Sequence, residues 1–469
     1  VKLLKNYLYN VSYQLLNIIL PIITVPYVTR VFTSENLGNY GFYNSIVSYF
    51  VLLANLGINI YGTKQIASST NVNKTFWNIY AIQVTTSIVS ILLYCGALNL
   101  VPTMNNKIAV LLVISLFSKL LDISWLFTGR EDFKRITIRN ASVRLLGVIS
   151  IFLFIKNENQ IYLYVFILVI FDFLGQLIMW FPAREYIRKP EFRWDGIKKN
   201  IKPTILLFLP QIAISLYVVM DRTLLGIFGS FYDVGIYDQS QKLISILLTI
   251  VSSLGAVMLP RVANLLAEKK EKEALQMVEF SFLVYNVIIF PMIFGLMVIN
   301  ELFVNLFLGE NFGNVKYSLY IISFNILFIG WTNILGYQVL VVRNKNKEFM
   351  LSTTIPAIVS ILINIALIPL LGYIGASITS VIVEFLVFIL QWNYSRKIVD
   401  IRIIFNNKFI KILFSTIIMF IVIELLKVLV GLSNIIGLVM YILVGGMVYI
   451  SLILYLKVID IKELREMIK

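Results

Sequence analysis

Residues 161–181 read IYLYVFILVIFDFLGQLIMWF, and the whole run carries one charge, Asp172. About 20 helical residues at about 1.5 Å each cross a hydrocarbon layer about 30 Å thick, so a stretch this long and apolar reads as a membrane span. Working outward, the same pattern recurs near 10–33, 42–66, 75–98, 108–128, 139–155, 204–226, 236–258, 279–299, 317–341, 350–370, 373–395, 409–428 and 435–456. The expected fold is an all-α polytopic membrane protein with about 14 transmembrane helices. Composition agrees: 59% of the 469 residues are hydrophobic and 14% charged, against roughly a quarter charged in soluble domains. A water-soluble globular protein is excluded.

Residue types remove further classes. No His occurs, which excludes Ser-His-Asp and Cys-His catalysis, HExxH zinc sites and histidine proton relays. Cys95 is the one cysteine, so no internal disulfide and no CxxC metal site is expected. The net charge of +15 raises the question of nucleic acid, and the placement of the cations answers it. With the amino end inside, the inner connections hold 31 Lys and Arg and the outer ones 4, namely Lys107, Lys156, Lys316 and Lys427. Cytoplasmic loops carry that excess. The expectation is a multi-pass protein with both termini cytoplasmic, whose basic loops meet anionic lipid heads rather than nucleic acid.

Val1–Asn10 has no small-residue cleavage site, so the first apolar stretch reads as a retained signal anchor. Two inner loops are long. Residues 182–203 mix Arg188, Phe192, Arg193 and Trp194, and residues 260–276 read as an amphipathic helix starting after Pro260; both look interfacial. Neither is large enough for a core of its own.

An internal repeat is the second organising feature. Leu37-Gly38-Asn39-Tyr40 aligns with Val234-Gly235-Ile236-Tyr237 at an offset of 197, each read as a short outer Gly-Tyr turn before a long helix. Six helices separate the two, so the repeat is parallel. The expected domains are 1–203 for helices 1–6 with the loop after them, 204–400 for helices 7–12, and 401–469 for two extra helices and a tail. Two lobes suggest alternating access, and Pro21, Pro26, Pro210, Pro291, Pro356 and Pro369 mark expected bends.

Charges inside the spans carry the functional reading, because each costs about 2.5–3.5 kcal/mol at the bilayer centre unless it has a partner, water or a function. Toward the cytoplasm stand Lys119, Asp122 and Arg144; toward the outside stand Arg30, Asp221, Arg222, Asp238 and Lys242. Asp172, Glu384 and Glu424 show no sequence-local partner. Salt bridges such as Asp122 with Arg144 are one reading. They leave cations over, since five bases face three acids across the two groups, and Arg offers a rigid fork for phosphate oxygens. The other reading is a water-filled cationic space between lobes that admits an anionic substrate.

Several motifs then point to a family. They are Thr29-Arg30-Val31 followed by Leu37-Gly38-Asn39-Tyr40-Gly41, Leu56-Gly57-Ile58-Asn59-Ile60-Tyr61-Gly62-Thr63-Lys64, and Trp125-Leu126-Phe127-Thr128-Gly129-Arg130-Glu131-Asp132-Phe133-Lys134. The second half adds Leu209-Pro210-Gln211-Ile212-Ala213, Met220-Asp221-Arg222-Thr223-Leu224-Leu225-Gly226, Val234-Gly235-Ile236-Tyr237 with Lys242, and Met258-Leu259-Pro260-Arg261. In this order the chain resembles, over nearly all of residues 5–460, the Wzx-type polysaccharide flippases of the multidrug, oligosaccharidyl-lipid and polysaccharide exporter superfamily.

The resemblance implies two six-helix lobes in a V, in a bacterial cytoplasmic membrane. It implies translocation of an undecaprenyl-pyrophosphate-linked oligosaccharide from the inner to the outer leaflet, with membrane lipids, a polysaccharide polymerase and glycosyltransferases as partners. It favours Arg30, Arg144, Arg222 and Lys242 as cavity cations, beside Lys119, and implies a transporter rather than an enzyme, with no cofactor and no metal. A coupling proton or sodium ion stays open, with Asp172 and Glu384 as candidates and Asp122, Asp221 and Asp238 as coupling or salt-bridge carboxylates. Two other classes are weighed. A cation-coupled multidrug exporter needs an acidic cavity, yet helix 1 has no acid and Asp221 adjoins Arg222. A membrane glycosyltransferase or polymerase needs a catalytic outer loop, and the longest, 300–316, offers Glu301 and Glu310.

Overall fold

The structure is a computed structural model that describes residues 16, 19–100 and 106–458, the side chains of 207, 209–214, 216–218, 256, 257 and 401 excepted. The start of the first expected helix, with the signal-anchor reading, and the carboxyl-terminal tail lie outside the described residues. Every regular element among the described residues is helical. Among the described residues, twelve helices are long and apolar enough to cross a membrane. Two further stretches, α1 (Ile19–Val31) and the helix Trp194–Phe228, stand where the first and seventh spans were expected. The chain is an all-α multi-pass membrane protein, and it divides into two compact units, residues 1–235 and 236–469.

In the first unit, α2 (Ser34–Asn55) starts well before residue 42, because Thr33 caps it: its hydroxyl accepts the Asn36 N–H at 3.2 Å. A polar capped turn gives no hydropathy signal. The expected Gly-Tyr turns are therefore the first turns of helices. The chain kinks where Leu56 (φ 41°) and Gly57 (φ 74°) take left-handed backbone, and α3 (Ile58–Ser68) follows. α4 (Val72–Leu100) leads to a span in three pieces, α5 (Lys107–Leu111), α6 (Val113–Leu121) and α7 (Ser124–Gly129). Then come α8 (Phe133–Phe154), α9 (Ile161–Ile178), the short α10 (Trp180–Ala183) and α11 (Trp194–Phe228), which packs on α2, α3 and α4. Phe76, Tyr80, Trp125 and Phe127 centre a buried cluster under α3, α4 and α7.

The repeat glycines have a steric purpose. α12 (Phe231–Ala267) begins at Phe231, 197 positions after Ser34 begins α2. A Cβ added to Gly38 would stand 1.6 Å from the Phe231 carbonyl oxygen, and one added to Gly235 would stand 2.0 Å from that of Ser34. The two aligned helix starts thus touch each other reciprocally, backbone on backbone, as only glycine permits.

The second unit contains the rest of α12, α13 (Glu271–Leu308), α14 (Val315–Ile322), α15 (Asn325–Thr332), a π-helical stretch Asn333–Val341, α16 (Asn346–Leu371), α17 (Tyr373–Ser395), α18 (Asn407–Val430) and α19 (Ile435–Tyr455). α12 runs through Pro260, and its end at Ala267 is followed by a turn with Lys269 at φ 61°, so no separate amphipathic helix starts after Pro260. Helices also continue through Pro291, Pro356 and Pro369. Neighbouring groups can satisfy the backbone that a proline frees in such a span. α18 and α19 pack on α13, joining Phe290 and Val298 to Met419, Ile423, Tyr441 and Tyr449. Polar contacts lock this unit internally: Asn325 Nδ2 donates to Ser380 Oγ at 2.8 Å, and Trp331 Nε1 to Asn286 Oδ1 at 2.8 Å.

Candidate functional site

Asp122 marks the place where the fourth span opens. Its backbone leaves the helix (ψ 101°), its Oδ1 accepts the Ser124 N–H at 3.0 Å, and α7 resumes. A helix that ends inside a bilayer strands its last carbonyls, where no water can reach them. Four consecutive carbonyls here find side chains. Gln83 Nε2 donates to the carbonyls of Lys119 (2.9 Å) and Asp122 (2.7 Å), the Tyr80 hydroxyl to Leu120 (3.2 Å), and Trp180 Nε1 to Leu121 (3.0 Å). Trp125 Nε1 in turn donates to Gln83 Oε1 at 2.9 Å, so one buried glutamine joins both sides of the break.

The break gathers charge. Lys119 Nζ lies 3.1 Å from Asp122 Oδ2, a pair that neutralises a carboxylate only 8% exposed. Arg139 Nη2 donates to Ser124 Oγ at 2.7 Å, and the Ser118 hydroxyl to Asp172 Oδ2 at 2.6 Å. Asp122 is thus held by Lys119 and Ser124, whereas Arg144 is exposed on α8. Asp172, read as buried and unpaired, is exposed on α9 and hydrogen-bonded to Ser118 of α6, which hydropathy cannot reveal because the partner lies 54 residues away.

A second group in the first unit lies at the other ends of the helices. Arg30 closes α1, exposed, with Nη1 donating to the Pro26 carbonyl at 2.7 Å. Asp221 is buried and Arg222 half-buried on α11. Beside them, Thr223 Oγ1 shares hydrogen bonds with Ser45 Oγ (2.8 Å) and the Tyr49 hydroxyl (3.0 Å) of α2. In the second unit, Lys242 Nζ lies 2.8 Å from Asp238 Oδ2 one turn away on α12, and Glu384 is buried on α17. Glu424, read as lacking a local partner, meets Lys427 at 3.2 Å. Lys427 lies in the last turn of α18 rather than in a loop, and its ammonium also donates to the Val298 carbonyl at 2.8 Å.

The structure therefore sorts the five intramembrane bases. Lys119 and Lys242 each face an aspartate of their own helix or its cap, at spacings of three and four. Arg30, Arg144 and Arg222 carry the guanidinium groups. Sequence reading missed Gln83, Ser118, Arg139 and the Ser45–Tyr49–Thr223 cluster. An amide inside the apolar run of α4 was a signal for Gln83, whereas Arg139 was counted with its basic loop.

The fold has known counterparts. It superposes on a lipid II flippase, MurJ, in an inward closed conformation with a TM-score of 0.77 at 14% identity, covering 99% of this chain and 100% of that one. In sequence, the chain is 24% identical over 404 residues to a protein of Escherichia coli (strain K12) named "Putative O-antigen transporter", covering 84% of the chain and 97% of the relative. It is 22% identical over 412 residues to the capsular polysaccharide biosynthesis protein CapF of Staphylococcus aureus, covering 84% and 100%. Residues 3–266, more than half of the chain, match the polysaccharide biosynthesis protein family, and the chain belongs to that family.

Proposed function

We propose that this protein is a flippase that moves a lipid-linked oligosaccharide, with undecaprenyl pyrophosphate as the lipid, from the cytoplasmic to the outer leaflet of a bacterial cytoplasmic membrane. It works as a transporter, by alternating access, with both termini cytoplasmic. The observation that carries the reading is the set of three arginines, Arg30, Arg144 and Arg222, each set in an apolar stretch of its helix. A dehydrated pyrophosphate is prohibitive in hydrocarbon, and a wet path lined by guanidinium groups removes most of that cost, since each fork matches two phosphate oxygens. The lysines are held by their own aspartates, so they add polarity with little net charge. Membership of the family and the relatives' part in polysaccharide assembly support the choice of cargo. Outward movement of negative charge also runs downhill in an inside-negative potential, by about 2.3 kcal/mol per charge per 100 mV.

Leaflet-resolved accumulation of the lipid-linked repeat unit, measured in cells carrying Arg222→Ala or Arg144→Ala, tests this. Cytoplasmic-leaflet build-up is the expected result. Unchanged export in both variants removes these arginines from the mechanism.

A further inference from the structure

α2 and α11 meet along one seam of the first unit. A Cβ added to Gly226 would stand 2.0 Å from a ring carbon of Phe42, so the glycine is a slot for that ring. One turn back on α11, Thr223 meets the hydroxyls of Ser45 and Tyr49. Positions 223 and 226 are three apart on α11, and 42, 45 and 49 follow at three and four on α2, so each set occupies a single helix face. A ring in a slot resists translation, but it resists rotation of α11 about its own axis only weakly. Hydrogen bonds are directional, and the Ser45 hydroxyl donates its one proton to the Phe42 carbonyl at 2.6 Å, so Thr223 donates to Ser45 Oγ and accepts from the Tyr49 hydroxyl. That two-sided contact fixes the angular setting of α11. Arg222 is the adjacent residue, about 100° around the helix.

We infer that the Ser45–Thr223–Tyr49 bridge is a positioning device for Arg222, setting its guanidinium for the pyrophosphate of the cargo. The inference rests on the reading that Arg222 meets that anion. Ser45, Thr223 and Tyr49 are positioning residues and need not touch the cargo. The arrangement also explains why hydroxyl side chains occupy a helix seam whose neighbouring contact is ring on glycine: apolar side chains would fill the space and leave the angle loose.

The test uses the purified full chain in lipid nanodiscs, with inorganic pyrophosphate as the titrant in calorimetry and thermal unfolding recorded in parallel. Arg222→Ala is expected to weaken binding by about tenfold or more, as for loss of a charge-assisted pair. Thr223→Val, which removes both hydrogen bonds of the bridge and keeps the branched shape, is expected to weaken it about fivefold, a change of about 1 kcal/mol in binding. Thr223→Ser is expected to restore it to within about twofold. Tyr49→Phe, which keeps the Ser45 contact, guards against a folding defect: a weaker affinity at unchanged melting temperature supports positioning. Wild-type affinity in Thr223→Val and Tyr49→Phe alongside a loss in Arg222→Ala overturns the positioning role and leaves the flippase reading standing. Wild-type affinity in Arg222→Ala sinks the role of Arg222 in anion binding, and the positioning inference with it.

Discussion

Replacing Gln83 by Met keeps a side chain of similar length and deletes its hydrogen bonds. Two buried groups then lose their partner together, the carbonyl of Asp122 and the indole N–H of Trp125, while the Lys119 carbonyl keeps only the Asp122 N–H at 3.2 Å. An orphaned buried polar group costs about 1–3 kcal/mol in water-soluble proteins. Interhelical hydrogen bonds in membranes average nearer about 0.6 kcal/mol, because the unfolded reference also finds partners. The structure favours the larger figure here. Gln83 is 3% exposed and Trp125 1%, and the Phe76, Tyr80 and Trp180 rings pack beside the break. A loss of about 3 kcal/mol or more is expected for Gln83→Met. Tyr80→Phe, which strands the Leu120 carbonyl alone, is expected to cost about half as much. Steric-trap unfolding of the purified protein in bicelles measures both. A Gln83→Met loss no greater than that of Tyr80→Phe would refute the argument that one amide closes the break.

Gly38→Val is expected to abolish the folded protein, since its Cβ would penetrate the Phe231 carbonyl, whereas Gly96→Val, with nothing within 4 Å of the added atom, should be tolerated; size-exclusion profiles of fluorescently tagged protein separate the two. Lys242→Met leaves the buried Asp238 carboxylate without its lysine, and because Lys242 is 38% exposed the expected cost is discounted to about 1 kcal/mol. Asp238→Asn in the same chain should recover most of that stability, and a double-mutant cycle with no coupling would show the pair to be incidental. Substituting Lys119 or Lys242 is expected to lower melting temperature more than it lowers export of the lipid-linked repeat unit, and substituting Arg144 or Arg222 to do the reverse; the same cells and the same purified proteins supply both readouts.

Element existence was legible in the sequence because apolar runs of spanning length have few alternative fates, and the residues of 161–181 do form α9 and α10. Element ends and interruptions were not. Hydropathy placed the second helix at residue 42, while the cap at Thr33 and a polar first turn start it at Ser34. Helices continue through Pro260, Pro291, Pro356 and Pro369, and the interruptions at Leu56–Gly57, Leu112, Asp122–Ile123 and Ser323–Phe324 carry no proline. A break inside lipid is decided by whether distant side chains can take up the freed carbonyls, and Gln83, Tyr80 and Trp180 lie 36 to 59 residues from those they satisfy. The same limit applied to the candidate site. Lys119 with Asp122 and Asp238 with Lys242 were readable as spacings of three and four on one face, whereas the Ser118–Asp172 contact and the Thr223 bridge join separate helices.

The division between lysine and arginine follows from what each head group does in lipid. An ammonium is a compact charge that one carboxylate a turn away can neutralise, and both lysines have such a carboxylate. Neutralised in this way, a lysine stabilises a local break or helix start and attracts a passing anion only weakly. A guanidinium presents two parallel donors along one edge and three more elsewhere, so it can hold a protein neighbour and a phosphate oxygen at the same time. Transport of an anion needs binding strong enough to offset dehydration and weak enough to release, and donors shared between protein and cargo meet both conditions better than a fully committed ion pair. In a span where every charge carries a cost, arginine rather than lysine is therefore the residue expected to face the cargo, and each lysine–aspartate pair is expected to steady its own helix.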